Sequence, residues 1–400
     1  MALDVDAVIA RAKEAGMQGD FAEAWRVMRP HHELLDVEPS FAWAWLVLVR
    51  NGPEMAAHRH EVEEILDAWQ DDPHILVLGA TILYVLVDGR LADDPIPVDD
   101  PALRAAVCVR LALGLYEDDE RLDPEVGGHA LVTLANALRL AGPAHDEEAQ
   151  QSYERALEMA PAEAGWWFDL GLLYKHRARW REALDAFEKA RALEEDEEES
   201  TLVNIAICAT ALGDASTATA IEAWGRLGVV CVRGDDGLPR VSSDSAPVKV
   251  RLSTMSRDPG AATEQPILYE HVWVAPDSPC HGRVLDPTML AVGVDVGDVV
   301  LFDRAPVGVA VVDGRSVLRF PLLALLQRGV LETTGVSARD DTDLARLRAG
   351  LRDGERLYMF DENVELVCDD CIRTGGPHDA RHTAHARPAG PRAGKIVRQR

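Results

Sequence analysis

Two cysteines and two histidines near the end of the chain have the types and the spacing of metal ligands. In the segment VELVCDDCIRTGGPHDARHTAH, Cys368 and Cys371 form a CxxC pair, and His378 and His382 follow a Gly-Gly turn. Two thiolates and two imidazoles would complete a tetrahedral, closed zinc site of the structural kind, because a catalytic zinc keeps an open position. The sequence thus predicts no cofactor and an unliganded thiol pair, with a structural zinc ion at these four residues as the alternative.

A second group that could do chemistry is Cys280 and His281, with His271 upstream and Asp286 downstream. Neighbours in an extended segment point to opposite faces, so His281 cannot easily deprotonate Cys280. A cysteine nucleophile normally meets its base across the fold, and His271 could be that base. The alternative is that these are ordinary turn and strand residues.

Other motifs of catalysis do not occur in the chain. The sequence has no Gly-rich phosphate loop, no HExxH, no GxSxG and no dinucleotide-binding fingerprint. GVDVGD is more simply explained as a turn between strands. We therefore expect a protein that is not an enzyme, with a Cys/His-dependent activity of the C-terminal part as a minor alternative.

The elements that position these residues belong to a chain of 400 residues, which is more than one hydrophobic core usually organises. Two domains or a repeat array are therefore expected. The six cysteines are widely spread, which fits reduced thiols in the cytoplasm. The first thirty residues contain no apolar core of an export signal, and the apolar run 75–87 is too short to span a membrane.

Charge is distributed unevenly along the chain. Residues 1–228 hold 19 Lys and Arg against 44 Asp and Glu, a net charge of −25. Residues 229–372 hold 15 against 23, and residues 373–400 hold 7 against 1. The acidic part repels nucleic acid and anionic membranes, so only the basic tail could attract nucleic acid.

An internal repeat is visible around residue 170, in AGWWFDLGLLYKHRARWREALDAFEKARALEED. Small residues permit two helices to approach closely, and large apolar residues recur three or four positions apart on the face that each helix buries. The positions of this pattern are Trp167, Leu170, Gly171, Tyr174, Ala183, Phe187 and Ala190. The units before and after it keep parts of the same pattern, and Pro39 and Pro73, 34 residues apart, each open a predicted helix.

This spacing resembles the tetratricopeptide repeat (TPR) and predicts five or six helical hairpins over residues 4–228. In that family the first helix of each hairpin lines a groove that holds a partner's peptide or helix. The resemblance implies these groove positions: Asn136, Phe168, Asp169, Leu172, Lys175, His176 and Asn204. Because Asp169 lies among them, we expect a protein or peptide partner that carries Lys or Arg. The alternative for the aromatic residues is that most belong to the core.

After residue 228 the pattern changes from helical to strand-like. Residues 229–245 are predicted as a linker, and residues 246–372 as a small β-rich α+β domain with a barrel or curled sheet. Within it, PLLALLQRG and DTDLARLRAGLRDG are predicted as helices. Residues 373–400 are predicted as a flexible basic His/Arg/Pro tail that could fold back on the acidic array. The fold class is thus α+β, with an all-α TPR-like solenoid first.

Three functions follow from these patterns. The first is a cytoplasmic protein-interaction scaffold, in which the repeat array recruits a partner and the C-terminal domain recognises or regulates. The second is a nucleic-acid-associated regulator that uses the CxxC/His site and the basic tail. The third is the Cys/His-dependent enzyme described above.

Overall fold

The computed structural model describes most of the chain. The described residues are 4–88, 90, 96–97, 99–117, 124–242, 245–256, 268–289, 293–312, 314–360, 365–368 and 392–399. They divide into two compact units, Met1–Leu173 and Tyr174–Arg400. The boundary lies inside a helix, and not at residue 228 where the composition changes.

The first unit is helical. Its helices are α1 (Val5–Met17), α2 (Phe21–Met28), α3 (Pro39–Asn51), α4 (Arg59–Ala68), α5 (Pro73–Val85), α6 (Pro101–Glu117), α7 (Pro124–Leu140), α8 (Asp146–Met159) and the beginning of α9 (Ala164–His176). Helices α1 and α2, α5 and α6, and α7 and α8 pack as pairs, while α1, α3, α5 and α7 pack in succession. This is the stacking of a helical repeat.

Local sequence signals explain where these helices begin. Asp4, Asp20 and Asp72 cap α1, α2 and α5 by accepting a hydrogen bond from a backbone N–H of the first turn. Pro39 and Pro73 occupy the first position of α3 and α5, where a missing N–H costs nothing. The predicted helix starts at both prolines are therefore confirmed.

Among the described residues, the second unit contains the end of α9, four more α-helices and the strands. The first three of these helices are α10 (Trp180–Leu193), α11 (Glu199–Leu212) and α12 (Thr217–Arg226), followed by the hairpin β1 (Cys231–Arg233) and β2 (Pro239–Val241). The segment predicted as a linker, residues 229–245, therefore contains a strand pair. It is ordered by contacts with α12: Thr217 Oγ1 donates to the carbonyl of Gly237, and both strands pack on that helix.

Five strands of the second unit close into a barrel. They are β3 (Val248–Ser256), β4 (Leu268–Pro276), β5 (His281–Val284), β6 (Val299–Phe302) and β8 (Arg315–Gln327). The order is β4-β3-β8-β6-β5, and β5 pairs again with β4, which closes the sheet. The pair β3–β8 is parallel and the others are antiparallel. The interior is filled by Val250, Leu252, Val272, Val274, Val284, Val294, Val300, Phe302 and Phe320.

One predicted helix is wrong. PLLALLQRG forms the second half of β8 up to Gln327, where Leu325 pairs with Val300 and Ala324 with Leu301 of β6. Leucine favours helices in isolation, but pairing and burial in the barrel outweigh that weak preference. The other predicted helix is confirmed as α13 (Asp341–Ala349).

Two further strands extend the barrel, and three form a separate sheet. Strand β7 (Gly308–Val312) pairs with β8, and β11 (Glu365–Cys368) pairs with β4. The separate sheet has the order β10-β12-β9, with β9 (Leu331–Ala338), β10 (Arg356–Met359) and β12 (Arg392–Gln399). The prediction of a flexible tail is thus wrong for residues 392–399. Hydrogen bonds to β9 on one side and to β10 on the other hold that segment as a strand.

The described helices include none that is long and apolar enough to cross a lipid bilayer.

The close pairing of β4 and β5 predicts that two strand glycines differ in how strongly substitution by alanine lowers stability. A Cβ atom on Gly282 in β5 would lie 2.2 Å from the carbonyl oxygen of Ala275 and 2.7 Å from Cα of Pro276, both on the paired strand β4. We expect Gly282→Ala to lower the free energy of unfolding by about 1–3 kcal/mol, because the backbone of β4 must shift. Urea denaturation measures the change.

The matched control is Gly335→Ala in β9, where a Cβ meets no atom within 4 Å. Since alanine restricts the unfolded chain more than glycine, that variant should be neutral or more stable by up to about 1 kcal/mol. Equal losses in the two variants would contradict the tight β4–β5 seam.

Candidate functional site

The groove residues predicted on helix α9 fall into two sets, one in each unit. In the first unit Phe168, Asp169 and Leu172 are half-buried on α9. Phe168 and Leu172 are four positions apart, and Asp169 precedes Leu172 by three, so the three side chains share one side of the helix. The result is a carboxylate beside two partly exposed apolar groups.

Asp169 is fixed by a network of hydrogen bonds from other helices of the first unit. Asn136 Nδ2 on α7 donates to Asp169 Oδ2 at 2.9 Å. The amide oxygen of Asn136 accepts from the Tyr153 hydroxyl at 2.8 Å and from Arg139 Nη2 at 3.3 Å. Asn136 is itself 5% exposed, so it acts here as a bridge that orients the carboxylate and is not an open contact.

Burial raises the pKa of Asp169 above its usual value, although the hydrogen bond from Asn136 and the charge of Arg139 act in the other direction. The same region raises the pKa of Tyr84 to about 12, through burial first and the charge of Asp169 second. A carboxylate in this environment is less well solvated than a surface aspartate. It therefore gains more from an added cation than a surface aspartate does.

In the second unit the predicted groove residue Lys175 binds the chain's own barrel, and the predicted groove residue Asn204 binds Lys175. Lys175 Nζ donates to Asp303 Oδ2 at 2.7 Å and to Asn204 Oδ1 at 2.6 Å. Asn204 Nδ2 donates in turn to the carbonyl of Ser200 at 2.8 Å. Lys175 is 3% exposed and Asn204 7% exposed. These two positions are therefore occupied from within the chain, while His176 beside them is half-buried.

Asp303 follows strand β6, and backbone groups hold its carboxylate in position to pair with Lys175. Its Oδ1 accepts from the backbone N–H groups of Arg304 at 2.7 Å and Ala305 at 3.2 Å. Burial by itself would raise the pKa of Asp303, but the charge and hydrogen bond of Lys175 hold it below the usual value. The pair thus stabilises the fold above the pKa of an unfolded aspartate, about 3.9, and is lost as the pH falls through the lowered value.

Sequence reasoning missed Asp303, Tyr153 and Arg139. Asp303 lies 128 positions from Lys175, so no local spacing could join the two. Tyr153 lies on α8, and its hydrogen bond to Asn136 depends on the packing of α7 against α8. Arg139 follows Asn136 by three positions on α7, and that spacing could have indicated the contact.

The predicted zinc ligands are only partly within the described residues. Cys368 is the last residue of β11 and is paired in register with Leu268 of β4, while Cys371, His378 and His382 lie outside the described residues. Across the described ranges no group of three or more His, Cys, Asp or Glu side chains is placed to hold a metal ion. A structural zinc at these four residues stays a prediction.

The surroundings of Cys280 oppose its use as a nucleophile. Its thiol is buried, and its Sγ lies 3.7 Å from Thr210 Oγ1 of α11 and 3.8 Å from Ser278 Oγ. Burial raises the pKa of Cys280 to about 12, so the reactive thiolate is scarce at neutral pH. Burial also lowers the pKa of His281 to about 4, and its Nδ1 lies 2.5 Å from Ser278 Oγ.

The two other residues of that group have structural surroundings as well. His271 is 2% exposed on β4, and burial lowers its pKa well below the usual value, followed by the charges of Arg319 and Arg251. Asp286 Oδ2 accepts from the backbone N–H of Trp273 at 3.1 Å. His271 is thus an interior residue and Asp286 a half-buried one bonded to the backbone, which favours the non-catalytic interpretation.

Comparison with known proteins gives weak likenesses. No family model matches the chain, and no curated protein sequence matches it. Among solved structures, PilW, described as a type IV pilus biogenesis factor, is 16% identical with a TM-score of 0.44 over 56% of this chain and 93% of its own. PilF of Pseudomonas aeruginosa is 15% identical with a TM-score of 0.39 over 56% and 89%.

MamA is 16% identical with a TM-score of 0.33 over 49% of this chain and 97% of its own. All three TM-scores are below 0.5, so these likenesses carry no argument about this chain. The assignment of a TPR-like helical part rests on the chain's own repeat spacing and on the packing of its helices.

The buried pair of Lys175 and Asp303 predicts strongly non-additive stability effects. We expect Asp303→Leu to lower the free energy of unfolding by about 3–5 kcal/mol, because it leaves the ammonium of Lys175 buried without a counter-ion. The double variant Lys175→Met/Asp303→Leu should recover most of that loss, since an apolar pair of similar volume replaces the charges. Urea denaturation of both variants measures the coupling.

The control is Glu222→Leu on α12, which removes one partner of a solvent-exposed pair with Arg226 at 3.0 Å. That change should cost less than about 1 kcal/mol. If Asp303→Leu costs no more than Glu222→Leu, the buried pair does not hold the helices to the barrel.

Proposed function

We propose that the helical repeats are a protein-interaction module, and that the side of α9 formed by Phe168, Asp169 and Leu172 contacts a partner segment carrying Lys or Arg. The observation that carries the proposal is Asp169, a carboxylate held in place by Asn136 at 2.9 Å beside two half-buried apolar side chains. Apolar groups supply contact area, and the oriented carboxylate selects a cation.

The charge of the chain supports a basic partner. Residues 1–228 carry a net charge of −25, from 19 basic and 44 acidic residues, so a basic segment is attracted from a distance and an acidic one is repelled. The cation nearest in sequence on α9, Lys175, is already neutralised by Asp303. Its charge is therefore balanced within the second unit.

The nucleic-acid alternative loses part of its basis. The three basic residues of the described strand β12 form ion pairs within the second unit: Lys395 with Asp295 at 2.6 Å, Arg398 with Glu332 at 2.6 Å and Arg392 with Asp341 at 3.5 Å. A phosphate backbone would have to compete with these carboxylates. Protein recognition by the acidic repeats needs no such competition.

The direct test is the double variant Phe168→Ala/Asp169→Asn in the full chain. We expect it to lose partners that the unchanged chain retains in a pull-down, and to bind an identified partner at least about tenfold more weakly, because it removes an apolar contact and the selecting charge. Isothermal titration of the identified partner gives the affinity.

A matched control is Met159→Ala/Glu158→Gln at the end of α8, which removes an exposed apolar side chain and one negative charge from adjacent positions. It should bind as the unchanged chain does. The proposal fails if both double variants, folded by circular dichroism, bind equally well.

The raised pKa of Asp169 predicts how binding depends on pH. Protonation removes the negative charge, so affinity for a basic partner should fall as the pH decreases, beginning above the usual aspartate pKa of about 3.9. Lys and Arg of the partner keep their charge throughout this range. Titration of the affinity from pH 7 downward measures the effect.

For this pH dependence the control is Asp169→Asn, which cannot titrate at that position and should give weaker affinity with a flatter pH profile. A profile that is as steep in Asp169→Asn as in the unchanged chain would show that other groups control binding.

A further inference from the structure

The last strand of the chain occupies the centre of its sheet. Strand β12, residues 392–399, pairs antiparallel with all eight residues of β9 on one side and with all four of β10 on the other. In the sheet order β10-β12-β9, β9 and β10 are not neighbours. They frame a cleft one strand wide, and a segment from the chain terminus fills it.

Acidic side chains of β9 and of the segment between β5 and β6 match the charges of this strand. Lys395 Nζ donates to Asp295 Oδ2 at 2.6 Å, with both side chains mostly buried. Arg398 lies directly opposite Glu332 in the register and donates to its Oε2 from Nε at 2.9 Å and from Nη2 at 2.6 Å. The cleft is therefore acidic where the strand is basic.

The space around residue 394 places a second requirement on the strand that fills the cleft. A Cβ on residue 394 would lie 2.3 Å from the carbonyl oxygen of Tyr358 and 2.9 Å from the sulfur of Met359 in β10. The position thus accepts glycine alone without movement of that strand. Val397, three positions later, is 5% exposed and supplies apolar burial. The requirements are a basic residue, a glycine before it and an apolar residue two positions after it.

We propose that the cleft between β9 and β10 is a strand-addition site for an extended basic peptide, and that the chain's own C-terminal strand is its resident ligand. Main-chain hydrogen bonds on both edges give affinity, and the glycine and the cations give selectivity. The site is independent of the proposed contact on α9. A partner with the pattern Gly-Lys-x-Val-Arg in an extended segment would compete with the resident strand.

The test uses the full chain with a specific protease site placed between residues 376 and 391 and cut after folding. A fluorescent peptide of residues 392–400 is then added, and its uptake is followed by polarisation and size exclusion. We expect the resident strand to stay bound after the cut and the labelled peptide to exchange with it. Peptides with Lys395→Glu or Gly394→Val should compete at least about tenfold more weakly.

Two controls keep the result interpretable. A scrambled peptide with the same composition and charge separates strand recognition from attraction to an acidic surface. The variant Asp295→Asn removes the carboxylate that pairs with Lys395, and after cutting it should exchange the strand faster than the unchanged chain does. The proposal is overturned if the cut chain keeps its circular dichroism but takes up no peptide, or takes up the scrambled peptide equally well.

Discussion

Burying an ammonium group requires a counter-charge at the same place, and the second unit is organised around that requirement. Lys175 is closed off from water and is paired with Asp303, whose second oxygen is held by two backbone N–H groups. Removing either partner would leave the other charge without a counter-charge in a poorly solvated site. The end of β6 is therefore fixed to helices α9 and α11.

Smaller contacts also join the helices of the second unit to its strands. The hairpin β1–β2 is joined to α12 through Thr217 and to the barrel through Arg240, which donates to Asp277 at 3.0 Å. Cys280 Sγ lies against Thr210 of α11. The last repeat helices and the barrel thus form one compact unit, which explains why the boundary between units falls within α9 and not at the change from helical to strand-like sequence.

Charge is arranged differently along the chain. The helical part keeps its excess of acidic residues, and the polar network of Asn136, Tyr153 and Arg139 orients Asp169 on the side of α9 that belongs to the first unit. At the other end of the chain, the basic residues of β12 are matched to acidic residues of the second unit. Opposite charges are thus paired locally in the second unit, while the helical part of the chain keeps a net negative charge.

The sequence alone determined the features that depend on neighbours three, four or thirty-four positions apart. Small and large apolar residues at helical spacing, with Pro39 and Pro73 at helix starts, predicted the hairpins, because a helix face is defined by nearby residues. The strand-like pattern after residue 228 likewise predicted a barrel or curled sheet. Tertiary structure decided what depends on distant partners: PLLALLQRG pairs with β6 and is a strand, residues 392–399 enter a sheet, and Lys175 meets Asp303 from 128 positions away. Long-range pairing and burial provide the larger free energies, so they overrule local preference wherever the two disagree.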